Sequence, residues 1–161
     1  MKDDIEDKDT TRRLVRVRTQ EQDARSASAE VSPLLVLLAE DDADMREALA
    51  AQLSADGYSV KQVSDGSMLK RYLDRALAGK SSEPTPDLVI SDIQMPGQDG
   101  LQVLEWLRGR DWTIPIILVT AFGDDETHGE AERLGVTAIL DKPFEIDQLR
   151  ATIEQLALTG A

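Results

Sequence analysis

The chain reads as an α/β protein, a doubly wound parallel sheet of five strands with helices on both faces. Three observations predict this. Short apolar runs alternate in strict order with segments of helical apolar spacing, making five β-α units. The strongest runs are continuously apolar, which suits strands buried on both faces of a parallel sheet. Similar polar residues, mostly acids, follow the runs, as at the edge of a sheet where ligands bind. Right-handed crossovers leave few ways to wind such units.

Residues 34–38 (Leu-Leu-Val-Leu-Leu) form the first run. Met45, Leu49 and Leu53 then recur at helical spacing, and Gly57 is placed to end that helix. Residues 59–63 are a weaker, more polar strand and look like a sheet edge. Met68, Leu69, Tyr72, Leu73 and Leu77 mark a second helix, and residues 79–86 have loop chemistry. Leu88, Val89 and Ile90 are the third strand, and Leu101, Leu104 and Leu107 share one face of a third helix. Residues 114–119 are the fourth strand, with Pro115 near its start, where proline is tolerated. Ala131 and Leu134 belong to a short polar helix ending near Gly135. Residues 136–140 are the fifth strand, and Ile146, Leu149, Ile153 and Leu156 mark the last helix.

Composition narrows the function. The 161 residues carry 18 Lys and Arg against 31 Asp and Glu, a formal net charge of −13. That balance opposes binding to nucleic-acid phosphates or to anionic lipid, and favours a divalent cation or a basic partner. The chain has no cysteine, which excludes disulfides, thiolate zinc sites and cysteine nucleophiles. A single histidine, His128, leaves no multi-histidine metal site and argues against a histidine triad. It lies in a polar stretch and is expected to be exposed. The longest apolar run, residues 34–39, is far short of the roughly 18 residues that span a membrane, and no signal peptide is visible. The expectation is a cytoplasmic protein.

Residues 1–32 have the composition of a solvated, disordered tail, with seven basic and eight acidic residues. The weak alternation over residues 12–18 is read as chance, the alternative being a docking segment for a partner. One domain is expected over residues 33–158, with no second domain after it. It retains 11 basic and 23 acidic residues, so the negative charge belongs to the folded part.

The polar residues after each run are Glu40-Asp41-Asp42, Ser91-Asp92, Thr120 and Asp141-Lys142. They should converge at one end of the sheet. Carboxylates that close raise each other's pKa, and one lysine does not balance them. A divalent cation does, and all-oxygen ligands with retained waters describe Mg²⁺. Thr120 and Lys142 are donors suited to phosphoryl oxygens, and a neighbouring carboxylate can become an aspartyl phosphate. Positioning and charge neutralisation would then supply most of the catalysis.

Residues 36–42 (VLLAEDD), 91–97 (SDIQMPG), 119–121 (VTA) and 142–144 (KPF), in this order at matching strand ends, resemble the receiver domain of bacterial two-component response regulators. The resemblance covers about residues 33–158 and implies a flavodoxin-like sheet of order 2-1-3-4-5, which the handful of known doubly wound orders includes. By motif position it implies Asp92 as phosphoacceptor and Asp41 as the direct Mg²⁺ ligand. Asp92 and the backbone carbonyl of Gln94 would complete the protein ligands, with Glu40 acting through water. Thr120 would bond a phosphoryl oxygen, Lys142 would pair with Asp92 or its phosphoryl group, and the small Ala121 would leave access. Gln94 and Phe122 occupy positions that tune dephosphorylation. The bond before Pro143 would be cis.

Two departures stand out. Ile139 occupies the position where the family usually carries Tyr or Phe, which puts the usual threonine–aromatic coupling in doubt. Asp42 makes three consecutive acids, and is read as the cap of the first helix.

The function implied is that of a stand-alone response regulator in phosphorelay signalling. It would not be an enzyme beyond its own phosphorylation and dephosphorylation. Its phosphodonor would be a histidine kinase or a histidine phosphotransfer protein, and its output a switched protein-binding surface. In this family helix four, strand five and helix five can also mediate dimers. Two alternatives stay open. One is a phosphate sink or relay intermediate. The other is a phosphatase of the haloacid dehalogenase type, which needs a second acid where this chain has Gln94 and a nucleophile after the first strand.

Overall fold

Residues 32–79 and 82–158 are described in a computed structural model. The expected tail lies outside them. In chain order the elements are β1 (Leu35–Ala39), α1 (Ala43–Ala55), β2 (Ser59–Val63), α2 (Gly66–Ala78) and β3 (Leu88–Asp92). They continue with α3 (Gly100–Gly109), β4 (Ile116–Thr120), α4 (Asp125–Arg133), β5 (Ala138–Asp141) and α5 (Ile146–Leu158). Every strand pair is parallel, and the sheet order is β2-β1-β3-β4-β5. This is the flavodoxin-like sheet that the motifs imply.

Side chains alternate across a strand, so each strand feeds two apolar layers. Leu37, Val89 and Leu118 pack with Leu69, Leu73, Leu104 and Leu107, under α2 and α3, with Ala131 of α4. Val36, Leu38, Ile90 and Ile117 pack with Leu49, Leu53, Leu149 and Ile153, under α1 and α5. Each of these leucines contributes roughly 1.5–3 kcal/mol by burial. The central strands β1, β3 and β4 are buried at every residue. β2 is the polar edge expected from its composition, and β5 is a half-exposed edge opposite it.

Strand limits differ from the apolar runs. β4 begins at Ile116 rather than 114, because the Ile116 N–H is taken by Thr137 Oγ1 at 2.9 Å and Pro115 has no N–H to give. β5 accordingly starts two residues later than its apolar run, at Ala138. β3 runs on through Ser91 and Asp92, so the polar pair belongs to the strand.

Aspartates cap four of the helices. Asp42, Asp65, Asp99 and Asp124 accept from the backbone N–H of Met45, Met68, Gln102 and Thr127 at 3.1, 2.7, 2.8 and 2.8 Å. Each such cap is worth about 1 kcal/mol and also meets the positive end of the helix dipole. Part of the acidic composition is thus structural. α3 is held close against β3: a Cβ at Gly100 would fall 2.6 Å from the Asp92 carbonyl oxygen. No helix among the described residues is long and apolar enough to cross a membrane.

Candidate functional site

The parallel register brings the polar strand ends together. Ala39 pairs with Ser91, Asp92 with Val119, and Thr120 with Asp141. Glu40, Asp92 and Thr120 are buried, at 3%, 6% and 1% exposure. Asp41 is exposed beside them. Carboxylate oxygens of Glu40, Asp41 and Asp92 lie within 4.8 Å of one another.

Lys142 spans the two buried acids. Its Nζ donates to Asp92 Oδ2 at 2.7 Å and to Glu40 Oε1 at 2.8 Å. Burial works against the ammonium, yet the bonds to Asp92 and Glu40 outweigh it and hold its pKa above the usual lysine value. Burial dominates at Glu40, where Lys142 opposes it and the Asp92 charge reinforces it; the Glu40 carboxyl is pushed up to about 7. One ammonium does not balance the cluster.

The flanking groups are fixed by local chain geometry. Ser91 Oγ donates to the Asp92 carbonyl at 2.9 Å, and the Gln94 N–H donates to Asp92 Oδ1 at 3.2 Å. The Phe122 N–H donates to Thr120 Oγ1 at 3.1 Å, so the hydroxyl is held at the end of β4. The Lys142 N–H donates to the Thr120 carbonyl at 2.7 Å, tying the end of β5 to β4. The Lys142–Pro143 bond is cis. Ala121 is exposed, and Phe122 stands 64% exposed beside the cluster. Ile139 is half-buried and packs against the α2–α3 layer.

The donor set suits a hard divalent cation. Its side-chain donors are all carboxylate oxygens, one ligand residue is exposed, and two carboxylates share one ammonium. Asp41, Asp92 and the Gln94 backbone are the groups that would hold Mg²⁺, with Glu40 behind them.

His128 departs from expectation. Its side chain is 31% exposed, and its Nε2 lies 2.8 Å from Asp141 Oδ1. The loop after β4 crosses this pair so closely that a Cβ at Gly123 would fall 1.6 Å from Asp141 Oδ1 and 2.8 Å from His128 Nε2. The two residues are 13 apart, beyond any helical or strand period, so spacing carries no signal of the contact.

The family described as response regulator receiver domain matches residues 36–154. The chain belongs to that family. It is 37% identical over 119 residues to the transcriptional regulatory protein FixJ of Bradyrhizobium diazoefficiens, covering 74% of this chain and 54% of that protein. It is 30% identical over 120 residues to sporulation initiation phosphotransferase F of Bacillus subtilis, covering 74% of this chain and 90% of that one. Among solved structures, the receiver domain of the Francisella response regulator 1452 superposes with a TM-score of 0.68 at 25% identity, covering 80% of this chain and 99% of that one. The chain spans about half of FixJ and 24% of the C4-dicarboxylate transport regulator DctD of Pseudomonas aeruginosa.

Proposed function

We propose that the protein accepts a phosphoryl group on Asp92 in a Mg²⁺-dependent step and so switches a protein-binding surface. The observation that carries this is the Lys142 ammonium seated on Asp92 Oδ2 within a three-carboxylate cluster. An Asp92 oxygen attacks phosphorus in line, the bond from phosphorus to the donor nitrogen breaks, and the donor imidazole leaves with the electron pair. Lys142 meets the charge that collects on the phosphoryl oxygens, and the Thr120 hydroxyl donates to another of them. Bound Mg²⁺ supplies charge neutralisation and orientation of the phosphoryl group. Ala121 leaves the approach open, while Gln94 and Phe122 govern how water reaches the product. The chain acts on no substrate other than its own phosphoryl group.

The donor is a histidine kinase or a histidine phosphotransfer protein, and the setting is the bacterial cytoplasm. The output surface is α4, β5 and α5, which also serves for dimerisation. Ile139 stands where the family usually carries an aromatic, so the usual threonine–aromatic coupling is not carried by this position. The folded part carries an acidic charge that opposes DNA contacts of its own.

A relay role is supported by the match over 90% of a protein named as a phosphotransferase. The phosphatase alternative has no support, since Gln94 stands where it needs an acid. Incubation with a phosphorylated phosphotransfer protein, then with its unphosphorylated form, tests both readings. Label moving to Asp92 supports phosphoacceptance, and its return faster than hydrolysis supports the relay. Absence of transfer from any histidine donor overturns both.

A further inference from the structure

Ten Lys and Arg side chains are described, and they divide into two sets. Five are engaged. Arg46 donates to the Glu40 carbonyl, and Arg108 to the carbonyls of Gly135, Trp112 and Ile114. Arg133 pairs with Glu130, Lys142 with Asp92 and Glu40, and Arg150 with Asp56 and Asp147.

The other five are Lys61, Lys70, Arg71, Arg75 and Arg110. Their side chains make no ion pair or hydrogen bond with another described residue. All five lie on one face, formed by β2, α2 and the end of α3. Arg71 joins two adjoining clefts there, one lined also by Lys61 and Arg75, the other by Lys70, Trp106 and Arg110. Lys70 Nζ lies 5.5 Å and Arg110 Cζ 4.9 Å from the Trp106 ring centre. The indole therefore fixes two of the cations in place. The acids lining these clefts are Asp74 and Glu83, so the face is positive on an otherwise acidic body.

A positive face of this size fits a short run of carboxylates. A long polyanion is disfavoured by the charge of −13 on the whole chain. The chain itself holds such a run: residues 3–9 read Asp-Asp-Ile-Glu-Asp-Lys-Asp, five carboxylates against one ammonium. Twenty-two residues, 10–31, separate it from the described fold. At random-coil dimensions any segment of that length would span about 26 Å root-mean-square, more than the radius of gyration of about 14 Å for such a domain. Tethering raises the local concentration of the segment to the millimolar range.

We propose that residues 3–9 dock in cis on the cationic face formed by Lys61, Lys70, Arg71, Arg75 and Arg110. The docked segment covers the Trp106 stack on a face separate from the phosphoacceptor cluster, and its docking does not depend on that chemistry.

The chain lacks cysteine, so Thr10→Cys carries a single nitroxide just beyond the segment and leaves its charges intact. Paramagnetic broadening is then read on the amides of the full chain. Docking predicts loss of peak intensity at residues 67–75 and 106–111. The intensity returns at ~1 M salt, where the screening length is ~3 Å. It also returns in Lys70→Glu/Arg71→Glu/Arg110→Glu, while Arg133→Glu leaves the broadening in place. Should the triple variant fold poorly, neutralising the segment (Asp3→Asn, Asp4→Asn, Glu6→Gln, Asp7→Asn) must abolish the broadening without touching the fold. Unbroadened peaks on this face overturn the proposal. So does broadening that survives both sets of substitutions, or that arises only between labelled and unlabelled copies in a mixture, which would place a second copy on the face.

Discussion

The Lys142 ammonium lies 2.7 Å from Asp92 Oδ2, with both side chains largely withdrawn from water. The two residues are 50 apart in sequence and meet because β3 and β5 end at the same edge of the sheet, with β4 between them. The ammonium compensates a buried carboxylate in the resting protein and stands where phosphoryl oxygens would arrive.

Lys142→Met removes that compensation from Asp92 and Glu40 together. Leaving a buried charge unpaired costs about 3–5 kcal/mol, eased where a carboxyl takes up a proton. Urea unfolding in chelator should show a loss of that order. Mg²⁺ should restore more stability to the variant than it adds to the wild type, because it meets the same uncompensated charge.

Glu40 gives a pH dependence of defined sign. Its folded pKa of about 7 lies above the ordinary value of 4.5, so folding favours the protonated form. The contribution is fully present below about pH 4.5 and is lost as pH rises through about 7. Without metal, the stability of the wild type relative to Glu40→Gln should therefore increase on going from pH 8 to pH 5. The shift corresponds to no more than about 3 kcal/mol. Paired unfolding curves at the two pH values measure it, and a difference independent of pH would contradict the assignment. Mg²⁺ competes with the same proton, so its affinity should fall below pH 7.

The His128–Asp141 pair is predicted to steady the loop after β4. Both groups are partly exposed, so His128→Ala should cost about 1 kcal/mol or less in stability. Amide exchange at residues 121–124 should nevertheless speed up. Gly123→Ala forces a Cβ into Asp141 Oδ1 and breaks the same contact. The double variant should then lose clearly less than the sum of the single losses.

Gly100→Ala tests how tightly α3 is pressed on β3. The added Cβ would sit 2.6 Å from the Asp92 backbone oxygen and 3.1 Å from a Leu118 methyl. Relief requires moving backbone, so a cost of about 1–3 kcal/mol is expected in thermal or urea unfolding. Phosphoryl acceptance should slow as well, because Asp92 must shift with its strand.

What was legible in the sequence is what local pattern encodes. Continuous apolar runs at residues 34–38 and 88–90 mark central strands because both faces of β1 and β3 are covered. The polar composition of residues 59–63 marks an edge for the converse reason. Glu40, Asp41, Asp92, Thr120 and Lys142 were readable because each stands at the end of a strand or just past it, and parallel strands end together. Strand limits were less legible, because Thr137 takes the Ile116 N–H through a side chain that no periodicity reports. The His128–Asp141 contact and the stacking of Lys70 and Arg110 on Trp106 depend on how α4 and α3 settle beside their neighbours. A charge count places those residues at the surface without saying which of them find partners.

The central claim is that Asp92 is the phosphoacceptor. Intact-mass measurement after incubation with a small phosphodonor, with and without Mg²⁺, tests it on wild type and Asp92→Asn. The account predicts one added phosphoryl group on the wild type, dependent on Mg²⁺ and absent from the variant. An equal addition to Asp92→Asn, or none to the wild type with any small-molecule or histidine donor, would contradict it.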